Sequence, residues 1–105
     1  MVKIEYSPAA KKDLELIQKH VKDSYGDKVS KEVLYTITTQ IRRLELFPMS
    51  GASLSESVHI NMNYRYLYVG KHYIFYRVEK KSIKIIRILH ERQDFLRHLS
   101  INHEI

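Results

Sequence analysis

Five polar residues stand in a row near the C-terminal end of this chain. They are His90, Glu91, Arg92, Gln93 and Asp94, inside the run ILHERQDF at 88–95. Their types suit acid–base chemistry on a phosphate. A histidine titrates near neutrality and can take or give a proton. An arginine two residues on can hold a phosphate, or the charge that develops on it. A base, an acid and a positive charge are what metal-free RNA cleavage needs. The same residues also have a structural reading. Glu91, Arg92 and Asp94 can form local ion pairs, and a histidine at a strand end can hydrogen-bond backbone. Spacing by itself favours the structural reading.

Other chemistries have less support. His90, His98 and His103 form no i,i+4 pair and no HExxH pattern, so no metal site is expected. The chain has no cysteine, which removes disulfides, cysteine nucleophiles and zinc-finger ligand sets. With only three glycines and no GxGxxG, P-loop or GxSxG, nothing cradles a nucleotide, and no cofactor is expected.

Length and composition bound the rest. The 105 residues predict a single domain over 1–105. At 44% apolar and 29% charged, the composition is that of a globular chain and not of a disordered one. No apolar run approaches the roughly 20 residues of a membrane span. The N-terminal MVKIEYSPAAKK has no signal-peptide core, so a cytoplasmic location is the expectation. The net charge of +6 is uneven: residues 1–63 hold nine Lys/Arg against eight Asp/Glu, and residues 64–105 hold nine against four. Such a field favours an acidic protein, nucleic acid, or both, although many small cytosolic proteins are basic for no such reason.

The elements that must position these residues follow from periodicity. VKIEYS alternates, as a half-buried strand does. Ser7-Pro8 reads as an N-cap followed by proline at the first helical position. Ala10, Leu14, Ile17 and Val21 then mark one helix face, and Tyr25-Gly26-Asp27 breaks it. Val33, Ile37, Ile41 and Leu44 mark a second helix, from near Asp27 to Phe47-Pro48. Residues 48–63 read as a loop. Three strands follow: YRYLYV, HYIFYRV and SIKIIRILH, split by breaks short enough for hairpins. FLRHL can form a short last helix with Asp94 as N-cap.

The predicted fold class is α+β in the order β-α-α-β-β-β-α. A helix hairpin covers one face of an antiparallel sheet, the first strand joins that sheet, and the other face stays at least partly open. Strict alternation places Arg65, Leu67 and Val69 opposite Tyr64, Tyr66 and Tyr68. It places Tyr73, Phe75 and Arg77 opposite His72, Ile74, Tyr76 and Val78. In the last strand it sets Ile83, Ile85, Arg87 and Leu89 against Ile86, Ile88 and His90. Tyrosine and arginine on a sheet could stack on bases or meet phosphate. Tyrosine also fills core rims, and protein partners favour both residues.

The run KHYIFYRVEKKSIKIIRILHERQDF resembles the C-terminal half of RelE/ParE superfamily toxins from bacterial type II toxin–antitoxin modules. The LFP-x-SG ending of the helix hairpin (Leu46 to Gly51) and the order of elements resemble them too, over nearly the whole chain. The ending ILHERQD is closer to the ParE branch. That resemblance implies a small basic toxin neutralised by a cognate antitoxin whose acidic segment wraps it. ParE-like members poison DNA gyrase and block replication. RelE-like members cut mRNA on the ribosome without a metal. For the nuclease reading the candidate residues are His90, Arg92, Arg65, Tyr73 and His98. Arg92 matches an arginine near the end of the last strand, and His98 stands near a functional tyrosine. Tyr73 replaces a usual arginine, and the lysines expected before the second strand are absent from ESVHINMN (56–63). For the ParE-like reading, which implies no catalytic set, the expected partner-binding residues are Tyr66, Tyr68, Arg87, Glu91, Phe95 and Leu96. A partner strand could also extend Tyr64–Val69 as an edge.

Overall fold

In the computed structural model, which describes residues 2–54, 63–94 and 97–98, strand β1 (Lys3–Tyr6) leads into α1 (Pro8–Tyr25) and α2 (Asp27–Arg42). A 3-10 turn, Arg43–Glu45, ends the hairpin. Then come β2 (Ala52–Ser53), β3 (Arg65–Val69), β4 (His72–Val78) and β5 (Ser82–His90). The sheet order is β1-β5-β4-β3-β2. The helix hairpin and the three-strand meander are as the periodicity predicts. Of the expected last helix FLRHL, only Arg97 and His98 are described; there Asp94 Oδ1 accepts the Arg97 N–H at 3.3 Å, the geometry of an N-cap.

Ser7 starts α1 by two bonds. Its Oγ accepts the Ala10 N–H at 3.0 Å and donates to the Ile86 carbonyl at 2.7 Å. One hydroxyl thus caps the helix and ties it to β5. Ser7→Ala should cost about 1–2 kcal/mol, because a lost N-cap typically costs about 1 and an unpartnered carbonyl adds to it. Urea titration of the variant measures that difference. Gly26 makes the tight turn between the helices at φ +93°, which side chains with a Cβ rarely adopt. Buried Ser30 then donates to the Gln18 carbonyl, pinning α2 to α1.

The main core lies between hairpin and sheet. Ala10, Ile37, Ile41 and Leu44 meet Ile74, Tyr76, Ile83, Ile85 and Ile88. A second cluster occupies the other face, where Leu54, Tyr64, Phe75 and Leu89 are buried. That face is therefore less open than expected.

Three features depart from simple alternation. The meander is antiparallel as predicted, but β1 runs parallel to β5, so the sheet is mixed. A two-residue strand, β2, forms within the stretch read as loop and pairs Ala52 and Ser53 with Tyr66 and Arg65. Tyr64–Val69 is therefore not a bare edge; β2 covers its first half. Finally, β5 carries a bulge: Phe75 pairs with Arg87 while Tyr76 pairs with Ile85, so Ile86 is the extra residue. The bulge shifts every later side chain by one. Ile88 joins Ile83 and Ile85 against the helices, and Leu89 falls on the opposite face.

Candidate functional site

The bulge turns Arg87 toward α1. Its guanidinium meets Asp13 by two parallel bonds, Nε–Oδ2 at 2.8 Å and Nη2–Oδ1 at 2.9 Å. Asp13 Oδ2 also accepts the Ile88 N–H at 2.9 Å. The two side chains are 8% and 16% exposed, so the pair is shielded from water and from salt. Sequence reasoning passed over Asp13. The available signal was a carboxylate set into the apolar stripe of Ala10, Leu14 and Ile17. Arg87, expected at a partner surface, is turned inward and occupied.

The five polar residues after Ile88 and Leu89 form a tight turn, as the structural reading expects. His90 Nδ1 accepts the Arg92 N–H at 3.1 Å, and the His90 N–H donates to Gln93 Oε1 at 2.8 Å. Glu91 N–H donates to the Lys71 carbonyl at 2.8 Å, which ties this turn to the β3–β4 turn. Glu91 also accepts a hydrogen bond from Tyr68, and that bond pushes the phenol's pKa up. Tyr68 is 52% exposed and packs on Tyr73 with centroids 4.9 Å apart. Tyr73 in turn meets Tyr66 edge-on at 5.7 Å and stacks on Phe75 at 5.9 Å. Tyr66, Tyr68 and Glu91 thus share one surface at the open end of β3 and β5. Phe95 and Leu96 lie outside the described residues.

The nuclease candidates do not converge as a set, although His90 and Arg92 share one turn. Arg65 sits at the start of β3 and His90 at the end of β5, opposite Val69 through His72. Four residues of strand separate the two positions, about 13 Å along the sheet. Arg65 is also engaged: its Nη1 donates to the Gly51 carbonyl at 2.7 Å and to the Met49 carbonyl at 3.4 Å. Tyr73 points to the face opposite His90. His98 is half-buried, with its N–H on the Asp94 carbonyl.

A second surface was not foreseen. The LFP-x-SG segment is locked from beneath. Buried Tyr76 donates its hydroxyl to the Pro48 carbonyl at 2.9 Å and accepts the Gly51 N–H at 2.8 Å. Burial raises the Tyr76 pKa, so the phenol stays protonated and able to donate. Gly51 is required by close approach, because a Cβ there would lie 2.5 Å from the Tyr76 hydroxyl and 2.7 Å from the Tyr66 carbonyl. On top of this fixed loop, Leu46, Phe47 and Met49 are 70%, 57% and 60% exposed. Exposed Arg42 and Arg43 precede them by one turn, and Tyr35, 72% exposed, lies on the same stripe of α2. A buried hydrogen-bond network holding apolar side chains in water is the mark of a docking surface. Among the described residues no group of three or more His, Cys, Asp or Glu is placed to hold a metal ion.

A helix hairpin on a five-stranded mixed sheet is a fold that solved structures share. A chain of the chromosomal ParDE TA system from P. aeruginosa superposes with a TM-score of 0.73 at 23% identity, over 86% of this chain and 96% of that one. A chain of the E. coli DinJ–YafQ complex superposes with a TM-score of 0.58 at 18% identity, over 87% and 94%. Both are likenesses of fold. Sequence goes further. Toxin ParE1 of Mycobacterium tuberculosis, in strains CDC 1551 / Oshkosh and ATCC 25618 / H37Rv, is 35% identical over 94 residues, 89% of this chain and 93% of that protein. The family described as ParE toxin of type II toxin-antitoxin system, parDE, matches residues 4–95. The chain belongs to the ParE toxin family. It is the toxin component of a type II toxin–antitoxin system, on the ParE side of the RelE/ParE division.

Proposed function

We propose that this toxin acts in the cytoplasm as a single domain, without catalysis of its own, by poisoning DNA gyrase and so blocking replication. Its cognate antitoxin holds it in check by covering the outer stripe of α2 and the locked loop after it. The carrying observation is that loop. Leu46, Phe47 and Met49 stand in water on a backbone fixed by Tyr76 and Arg65, so a partner meets them already ordered. Pre-organisation lowers the entropic cost of binding. Exposed Arg42 and Arg43 beside these apolar side chains suit an amphipathic segment with carboxylates on one flank. The gyrase target rests on membership of the ParE family and on what the resemblance implies. The scatter of His90, Arg65 and Tyr73 speaks against a ribosome-dependent nuclease.

Two measurements test this. Purified toxin added to a gyrase supercoiling reaction should yield linear plasmid, while mRNA on programmed ribosomes stays intact. Cut mRNA with normal supercoiling would sink the gyrase reading. For the surface, Leu46→Asp with Phe47→Asp should weaken antitoxin binding by tenfold or more, since loss of a central hot-spot side chain costs about 2 kcal/mol or more. Because both side chains are exposed, folding stability should change by no more than about 1 kcal/mol. Titration calorimetry against the antitoxin encoded beside the toxin measures the first, and urea unfolding the second.

A further inference from the structure

His72 and His90 are direct cross-strand partners at the open end of β4 and β5. Their imidazoles meet edge-on, with centroids 5.3 Å apart and planes at 89°. Both are half-buried. The His90 ring has a second duty: its Nδ1 accepts the Arg92 N–H at 3.1 Å. Around the same residue, Gln93 N–H donates to the His90 carbonyl at 2.9 Å and Glu91 N–H to the Lys71 carbonyl at 2.8 Å. A nitrogen that accepts carries no proton, so this turn is built for the neutral imidazole with its hydrogen on Nε2.

Protonation of His90 would act twice. Nδ1 becomes a donor and can no longer take the Arg92 N–H. An imidazolium also appears beside His72, which then takes its own proton less readily. The surrounding charged groups do not cancel that. His20 approaches from α1 and adds to the repulsion on His72, while Glu91 from the turn opposes it. Lys71 precedes His72, and Arg92 follows the turn. Tyr68 of β3 holds the Glu91 carboxylate. We propose that the His72–His90 pair is a proton-operated latch on the turn 91–93, closed at neutral pH and opened by acid. Its opening would release Glu91 from Lys71 and loosen the surface shared by Tyr68, Glu91 and Arg92.

The direction of the pH effect follows from His72. Desolvation first, then His90, hold its folded pKa below the ordinary 6.5. The unfolded chain therefore takes up that proton first. Stability from this corner is full above about pH 6.5 and falls as pH drops through that value toward the folded pKa.

The experiment is a titration of the full chain from pH 7.5 to 5.0 followed by proton–nitrogen NMR. The Arg92 amide proton should move upfield with the same midpoint as the His90 ring. Exchange of the Glu91 amide should quicken at least tenfold relative to that of Ile74. In His90→Asn, whose Oδ1 replaces Nδ1 as an acceptor that does not titrate, the Arg92 shift should become flat with pH. The His72 midpoint should rise in the same variant, because the His90 charge is one of the causes that lower it. An Arg92 amide that stays still while the His90 ring titrates in the wild type overturns the latch. So does a His72 midpoint unmoved by His90→Asn. The first of these results is read on the wild type and does not depend on His90→Asn folding.

Discussion

Asp13→Ala should lower the unfolding free energy by about 3–5 kcal/mol, the usual cost of removing one member of a buried ion pair. Three donors lose their acceptor at once: Arg87 Nε, Arg87 Nη2 and the Ile88 N–H. The guanidinium is left in a setting where its side chain is only 16% exposed. In a domain of this size, where each kcal/mol moves Tm by about 4–8 °C, a fall of at least about 12 °C is expected. The exposed pair Lys31–Asp27, at 3.2 Å, provides the contrast. Lys31→Ala should cost no more than about 0.5 kcal/mol, because exposed i,i+4 pairs are worth little. Urea unfolding of both variants decides the matter, and a loss below about 1 kcal/mol for Asp13→Ala would refute the assignment. Replacing both partners with Asp13→Leu and Arg87→Met should recover much of the loss, since apolar isosteres often match a buried pair. The Ile88 N–H sets the limit to that recovery.

The second large effect concerns the loop after α2. Gly51→Ala places a methyl group 2.5 Å from the Tyr76 hydroxyl and 2.7 Å from the Tyr66 carbonyl. Neither neighbour can yield cheaply. Tyr76 is fully buried, and the Tyr66 carbonyl belongs to a strand paired on both sides. Overpacking of this kind costs about 1–3 kcal/mol, and a broken Tyr76 network adds about 1–2. The expected loss is about 2–4 kcal/mol. Antitoxin affinity should fall with it, because Leu46, Phe47 and Met49 ride on the same backbone. Tyr76→Phe is the milder test. It keeps the ring in the core, leaves the Gly51 N–H and the Pro48 carbonyl unpartnered, and should weaken antitoxin binding more than it lowers Tm. Equal binding by wild type and Tyr76→Phe would show that the network does not order the docking surface.

How far each feature was legible depends on the range over which its cause acts. Ser7-Pro8 and Tyr25-Gly26-Asp27 act within a turn, so the start and the break of the first helix could be read directly. Asp94 as an N-cap was equally local. The RelE/ParE resemblance was carried by runs of residues, and the family match over 4–95 bears it out. The faces of β3 and β4 followed from alternation and stand as expected. In β5 the same reasoning placed Arg87 and Leu89 with Ile83 and Ile85, and the bulge at Ile86 overturned it. A bulge leaves no mark in hydrophobic periodicity, because it is decided by partners. Here those are Ser7 on the Ile86 carbonyl and Asp13 on the Ile88 N–H, both brought from nearly eighty residues away.

The sequence alone determined the helix hairpin, the three-strand meander that follows it, the basic second half and the family. Each of these comes from residue type and short spacing, which a chain carries whether or not it is folded. Only the tertiary structure decided that β1 runs parallel to β5, since an alternating strand offers the same pattern in either direction. It alone turned Arg87 from a surface residue into the partner of Asp13. It also set Leu46, Phe47 and Met49 on the outside. That placement depends on where the Tyr76 hydroxyl meets Gly51, a contact across twenty-five residues that no local rule contains.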